Sequence, residues 1–202
     1  MSERYVVFTG RPNAGKSTVI RALTGLKLPT GKRPGTTTGI RMYPVAPGLT
    51  LVDMPGYGSK AGGSRRWEDR TKDSILDFIE ENAGSIVVAV HGVNITTFLE
   101  TEERLSRKGM VSLDVEMVGY LRDTLGAFPL VAANKIDKGG EDDVVSNLEA
   151  FIEGVSVGDP TARDRVFPVS ARTGVGVGRL KEGLMKALRD AGFRDPFEYL
   201  RG

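Results

Sequence analysis

Hydrophobic positions along the chain follow two periods in turn. Short apolar runs of strand length, Tyr5 to Phe8, Ile40 to Val45, Leu49 to Val52, Ser85 to Val90, Phe128 to Ala133 and Val166 to Val169, are separated by stretches whose apolar residues recur at helical spacing. Those stretches carry Val19, Ile20 and Leu23; Ile75, Phe78 and Ile79; Ile95, Phe98 and Leu99; Val111, Val115, Val118, Leu121 and Leu125; Val144, Leu148, Phe151 and Ile152; and Leu180, Leu184 and Leu188. A continuous run such as Ile86 to Val90 marks a strand buried on both faces. The alternation predicts an α/β fold: a three-layer, open, mostly parallel sheet with one antiparallel edge strand, made by a hairpin through Ala46-Pro47-Gly48, and helices on both faces. The ligand of such a sheet sits beyond the carboxyl ends of its strands, and Gly10, Asp53, Asn134 and Ser170 all stand at predicted ends.

Composition narrows the chemistry. A length of 202 residues suits one domain, expected to span residues 1 to 202. With no cysteine, disulfides, thiolate metal sites and a Cys nucleophile are excluded. The 28 basic and 26 acidic residues leave a net charge of +2, too balanced to announce nucleic acid, and DNA is not expected as a partner. The N-terminus has no signal-peptide pattern and no apolar run approaches the ~18 residues of a membrane span, so the expectation is a soluble, cytoplasmic protein without a membrane partner.

The first apolar run leads into Gly10-Arg11-Pro12-Asn13-Ala14-Gly15-Lys16-Ser17, which a helical pattern follows. This matches the Walker A form GxxxxGK[ST] in its required strand, loop and helix setting. Gly10 and Gly15 permit backbone angles that let successive N–H groups converge on phosphate oxygens at a helix N-terminus. Lys16 is expected to reach the β- and γ-phosphates and the Ser17 hydroxyl to hold Mg²⁺. Asp53-Met54-Pro55-Gly56, at a later strand end, fits the Walker B role: Asp53 would hold Mg²⁺ through a water, and the Gly56 N–H can approach the γ-phosphate unobstructed. In the glycine- and proline-rich stretch between them, Gly35-Thr36-Thr37-Thr38-Gly39, Thr37 is the expected Mg²⁺ ligand that orders the loop while the third phosphate is present.

Asn134-Lys135-Ile136-Asp137 selects the base. The Asp137 carboxylate can accept from the ring N–H and exocyclic amine of guanine, a donor pair adenine lacks; Asn134 can donate to the opposite side of the ring, and the Lys135 stem can lie along it. Val169-Ser170-Ala171 would offer backbone N–H groups to the guanine carbonyl. GTP or GDP is therefore the expected ligand.

The set GRPNAGKS, PGTT, DMPGYG, NKID and VSA, over residues 10 to 171, resembles the translation-factor-related GTPases of Ras-like fold. Within them DMPGYG and LDVEMVGYL, at 113 to 121, resemble the EngB (YihA) family most closely. The resemblance implies GTP contacts on Gly10 to Ser17, Gly35 to Gly39, Asp53 to Gly56, Asn134 to Asp137 and Val169 to Ala171, with Mg²⁺ on Ser17 and Thr37. It also implies a molecular switch in assembly of the large ribosomal subunit, whose loss appears as a division or septation defect.

Ras-type enzymes orient the attacking water with a glutamine after DxxG, where this chain has Tyr57. Slow intrinsic hydrolysis follows, of the order of 10⁻³ s⁻¹ or below. The catalytic candidates are Lys16, Thr37, Gly56 and Asn13. Asn13 has two readings: a loop-shaping residue, or a ligand, with carbonyls of residues 30 to 36, of a K⁺ ion beside the phosphates. Two readings also stand for the basic residues Lys27, Lys32, Arg33 and Arg41, and Lys60, Arg65, Arg66 and Arg70: a solvated loop surface, or a contact to ribosomal RNA with Trp67 available for stacking. His91, the single histidine, reads as a core or hydrogen-bonded residue rather than a general base. The rival functions are a small-molecule kinase or ATPase and a membrane-linked GTPase.

Overall fold

The computed structural model describes residues 2–26, 28, 39–58, 65–107, 109, 112–157 and 159–198, with only the backbone of 65–69. Six strands form one sheet: β1 (Arg4–Gly10), β2 (Arg41–Ala46), β3 (Leu49–Asp53), β4 (Ile86–Asn94), β5 (Leu130–Asn134) and β6 (Val166–Val169). Their order is β2-β3-β1-β4-β5-β6, and among the described residues only the β2–β3 pair is antiparallel. The helices are α1 (Lys16–Thr24), α2 (Arg65–Glu81), α3 (Phe98–Ser106), α4 (Leu113–Leu125), α5 (Glu141–Val155), the four-residue α6 (Ala162–Arg165) and α7 (Val177–Asp190).

Alternate residues of each strand feed two cores, as the two-residue period of a strand requires. Val6 and Phe8 of β1, Val88 and Val90 of β4, and Leu130 and Ala132 of β5 point to one face, where α1 supplies Ile20 and Leu23 and α7 supplies Leu180, Leu184 and Leu188. Those three α7 leucines are fully buried, and truncating one to Ala removes about 2–5 kcal/mol of stability. On the other face, Val7, Val52 and Ala89 meet Ile75 and Ile79 of α2 and Met117 and Leu121 of α4. Val93, Val131 and Ala133 meet Phe98, Val118, Phe151 and Ile152 of α3, α4 and α5. The expected mostly parallel sheet with one antiparallel edge strand and helices on both faces is the observed architecture. Among the described residues, no helix is long and apolar enough to cross a membrane.

Three details differ from the sequence expectation. β4 does not stop at Val90 but runs on to Asn94, because Thr9 and Gly10 of β1 pair with His91 and Gly92 while Val93 and Asn94 pair with Ala133 and Asn134 of β5. The strand expected from Phe128 begins at Leu130. α6 is too short to show a helical period in the sequence. Phe197 joins the core cluster that α1 and α7 line; residues 199–202 lie outside the described residues.

Candidate functional site

Gly10, Asp53 and Asn134 are the last residues of β1, β3 and β5, and Ser170 directly follows β6, so the four motifs converge at one edge of the sheet. The phosphate loop turns from β1 into α1. Gly15 holds the position before the helix at φ 88, and a Cβ there would come within 2.3 Å of the Asn134 side-chain nitrogen, so glycine is required both for the angle and for the approach. Asn13 is also left-handed, φ 66, and exposed at the crest of the loop. Ser17 lies half-buried in the first turn of α1.

Lys16 and Asp53 are brought together. Both are buried, and the Lys16 ammonium donates to Asp53 Oδ1. Burial pushes the Lys16 pKa down, and the Asp53 charge and hydrogen bond partly offset this. Asp53 is thus carried to the phosphate loop by parallel pairing of β1 with β3, in which Phe8 stands opposite Asp53. The turn after it is fixed by the Met54 N–H, which donates to the Phe8 carbonyl at 3.0 Å. Met54 itself is fully buried in the core, so only its backbone is available to a ligand. Gly56 lies against the phosphate loop: a Cβ there would stand 2.9 Å from the Pro12 nitrogen.

At Asn134 the structure shows contacts that the sequence did not suggest. That side chain is a strut: its Nδ2 donates to the Ala14 carbonyl at 2.9 Å and its Oδ1 accepts the Ala171 N–H at 3.0 Å. It ties the phosphate loop to the loop after β6 and keeps one amide hydrogen for a ligand. Lys135 adopts φ 73, a strained angle for a side-chain-bearing residue, and its Cε lies 4.0 Å from where a Gly15 Cβ would stand, so its stem runs along the phosphate loop. Ile136 begins a short turn of 3₁₀ helix and packs on the α5 side. Asp137 Oδ1 accepts the Ser170 hydroxyl at 2.6 Å, and its Oδ2 accepts from Nε and Nη2 of Arg172 at 3.0 and 2.8 Å. The Ser170 hydrogen bond first, and then Arg172, hold the Asp137 carboxyl below the ordinary carboxylate range against partial burial.

Tyr57, directly after DMPG, is buried in the α2–α4 core. His91 is a hydrogen-bonded core residue, as read. Gly35, Thr36, Thr37 and Thr38, the carbonyls of 30 to 36, the basic residues Lys27, Lys32, Arg33 and Lys60, and the side chains of Arg65, Arg66 and Trp67 lie outside the described residues. Sequence reasoning missed Arg172, although a cation directly after Ser170-Ala171 at a strand end was a signal. It also missed the contacts of Asp114, within LDVEMVGYL, because its partners His91 and Arg11 lie far off in the chain.

A family model described as "50S ribosome-binding GTPase" matches residues 5–135. A "probable GTP-binding protein EngB" of Methanopyrus kandleri is 37% identical over 200 residues, covering 97% of this chain and 98% of that protein. Its counterpart in Archaeoglobus fulgidus is 34% identical over 203 residues and covers all of both chains. A crystal structure of a probable GTP-binding protein engB superposes with a TM-score of 0.80 at 35% identity, over 92% of this chain and 99% of that one. An Era structure with a TM-score of 0.61 and 21% identity, covering 93% of this chain and 57% of that one, shares the fold alone. With likeness of this degree over nearly its full length, and with the phosphate and base motifs on one sheet edge, the chain belongs to the EngB family and is a P-loop GTPase that binds GTP.

Proposed function

We propose that this GTPase is a Mg²⁺-dependent switch that binds GTP and GDP at residues 10–17, 53–56, 134–137 and 169–171 and acts in ribosome assembly. The observation that carries the reading is the convergence on one edge of the buried Lys16–Asp53 pair and the Asp137–Ser170 pair, held together by the Asn134 strut. Lys16 and the loop amides would grip the β- and γ-phosphates, and Ser17, Asp53 and Thr37 are the residues that would hold Mg²⁺. Bound Mg²⁺ neutralises charge on the phosphate oxygens. Asp137 takes the guanine N–H pair once Arg172 turns aside, and Ser170 keeps the carboxylate aimed. With Tyr57 in the core, intrinsic hydrolysis is slow, and K⁺ at the exposed Asn13 is the proposed accelerator.

The description of the matching family supports the large ribosomal subunit as partner; a link to cell division and a cytoplasmic location complete the proposal. The GTPase family sets aside a small-molecule kinase. Calorimetry with GTP, GDP and ATP in Mg²⁺ tests the site: tight guanine binding and no ATP heat are expected, and equal affinity for ATP defeats the assignment. Co-sedimentation with 50S particles in a GTP analogue but not in GDP tests the partner. Hydrolysis rates in K⁺ and Na⁺ that coincide, with and without ribosomes, defeat the K⁺ role.

A further inference from the structure

A buried polar network lies behind the phosphate loop, and its hub is Asp114 in the first turn of α4. Asp114 is 5% exposed and His91 and Thr9 are fully buried. Asp114 Oδ1 lies 3.2 Å from His91 Nε2, and His91 Nδ1 lies 3.0 Å from the Thr9 hydroxyl. A carboxylate can only accept, so His91 donates from Nε2, and its other ring nitrogen pairs with the Thr9 hydroxyl. That chain anchors Asp114 to the last turn of β1, one residue before the phosphate loop.

Beyond His91, the Asp114 carboxylate faces donors on two segments of the site, Arg11 and Tyr57. Arg11, in the phosphate loop, places Nη1 3.7 Å from Oδ2, beside a cavity of about 150 Å³ that gives the guanidinium room to approach. Tyr57, directly after Gly56, is 3% exposed; its ring centroid lies 6.3 Å from that of His91, and its hydroxyl is buried without a hydrogen-bond partner. After burial itself, the Asp114 charge acts on this phenol most strongly, and both push its pKa well up, so it stays a donor. Among the described residues that hydroxyl has no acceptor, and Asp114 is the carboxylate that acts on it most strongly, ahead of Glu116. The two donors sit on segments already in contact, since Gly56 abuts Pro12.

We propose that Asp114 is a positioning residue of the GTPase site: by drawing both Arg11 and Tyr57 to its carboxylate it sets the phosphate loop against the DMPG turn, and so tunes GTP over GDP. Asp114 touches no nucleotide; its effect passes through the turn that meets only the third phosphate. The inference rests on the nucleotide site proposed above. A merely structural carboxylate would weaken both nucleotides alike, whereas this role separates them.

The test uses the full chain with fluorescent GDP, a fluorescent non-hydrolysable GTP analogue and single-turnover hydrolysis. Asp114→Asn keeps shape and one acceptor but removes the charge. It is expected to weaken the GTP analogue and slow hydrolysis about tenfold while GDP affinity stays within about twofold. Tyr57→Phe removes only the hydroxyl and is expected to give the same split at about threefold. Equal losses for both nucleotides, or none, overturn the proposal; if Asp114→Asn does not fold, the Tyr57→Phe split alone decides. Wild-type protein that bound neither nucleotide would bring down the site assignment and this inference together, whereas wild-type binding with unsplit variants brings down only this one.

Discussion

Two aspartate–cation pairs stand at the ends of parallel-sheet strands, and they differ in burial. At the phosphate end Lys16 and Asp53 are 8% and 1% exposed; at the base end the Arg172 and Asp137 side chains are 72% and 12% exposed. A buried pair is costly to break, because removing one partner strands a charge in a poor solvent, whereas an exposed pair exchanges partners at little cost. The phosphate end is therefore built in advance, and the base end holds its carboxylate with a partner that a ligand can replace.

The largest effect should come from breaking the buried pair. Lys16→Met is expected to lose GTP and GDP affinity by more than about 100-fold and, by leaving Asp53 unpaired, to cost about 3–5 kcal/mol of stability. Calorimetry and denaturant titration read the two losses separately. Next, Asp137→Asn replaces an acceptor pair with one donor and one acceptor. Guanine preference should fall by about 100-fold or more in competition assays, while xanthine nucleotides, which carry a carbonyl in place of the exocyclic amine, gain. Gly15→Ala pushes a methyl into the Asn134 strut that joins the two ends. We expect about tenfold weaker binding of either nucleotide and a cost of about 1–3 kcal/mol, read by thermal melting.

The smallest effect sharpens the contrast. Arg172→Ala should change GDP affinity by less than about threefold, since a pair so exposed is screened by solvent. The sign for pH follows from the depressed Asp137 pKa. A carboxylate held below its ordinary value stays ionised above that value and is lost only as pH falls through the lowered one. Guanine affinity should thus stay flat, as far as Asp137 is concerned, between pH 7 and 5; a fall across that window measured by calorimetry would contradict the assignment.

Local patterns carried much of this. The spacing of Leu180, Leu184 and Leu188 was readable as one helix face because each leucine's burial follows from helical geometry alone. The phosphate loop was readable for the same reason: its glycines, lysine and serine act within eight consecutive residues. The extension of β4 to Asn94 was not, because His91 reads as a strand-ending polar residue until its buried partners are known. Those partners, Thr9 and Asp114, lie 82 and 23 residues away. Asn134 was readable as a polar residue at a strand end, but not as a strut, since Ala14 is 120 residues distant in the chain. Tyr57 could be seen as the wrong residue for orienting water; that it is sunk in the core depends on where α2 and α4 pack.

By itself the sequence determined the succession of strands and helices, the layered sheet, the phosphate loop and the guanine-type motif, since these depend on periodicity and on residues that are near neighbours. Only the tertiary structure decided which distant groups share one carboxylate or one amide: Asp114 with His91 and Arg11, Asn134 with Ala14 and Ala171, Asp137 with Arg172. The physical reason is that such contacts are set by the strand order β2-β3-β1-β4-β5-β6, which brings together side chains whose separation along the chain leaves no local trace.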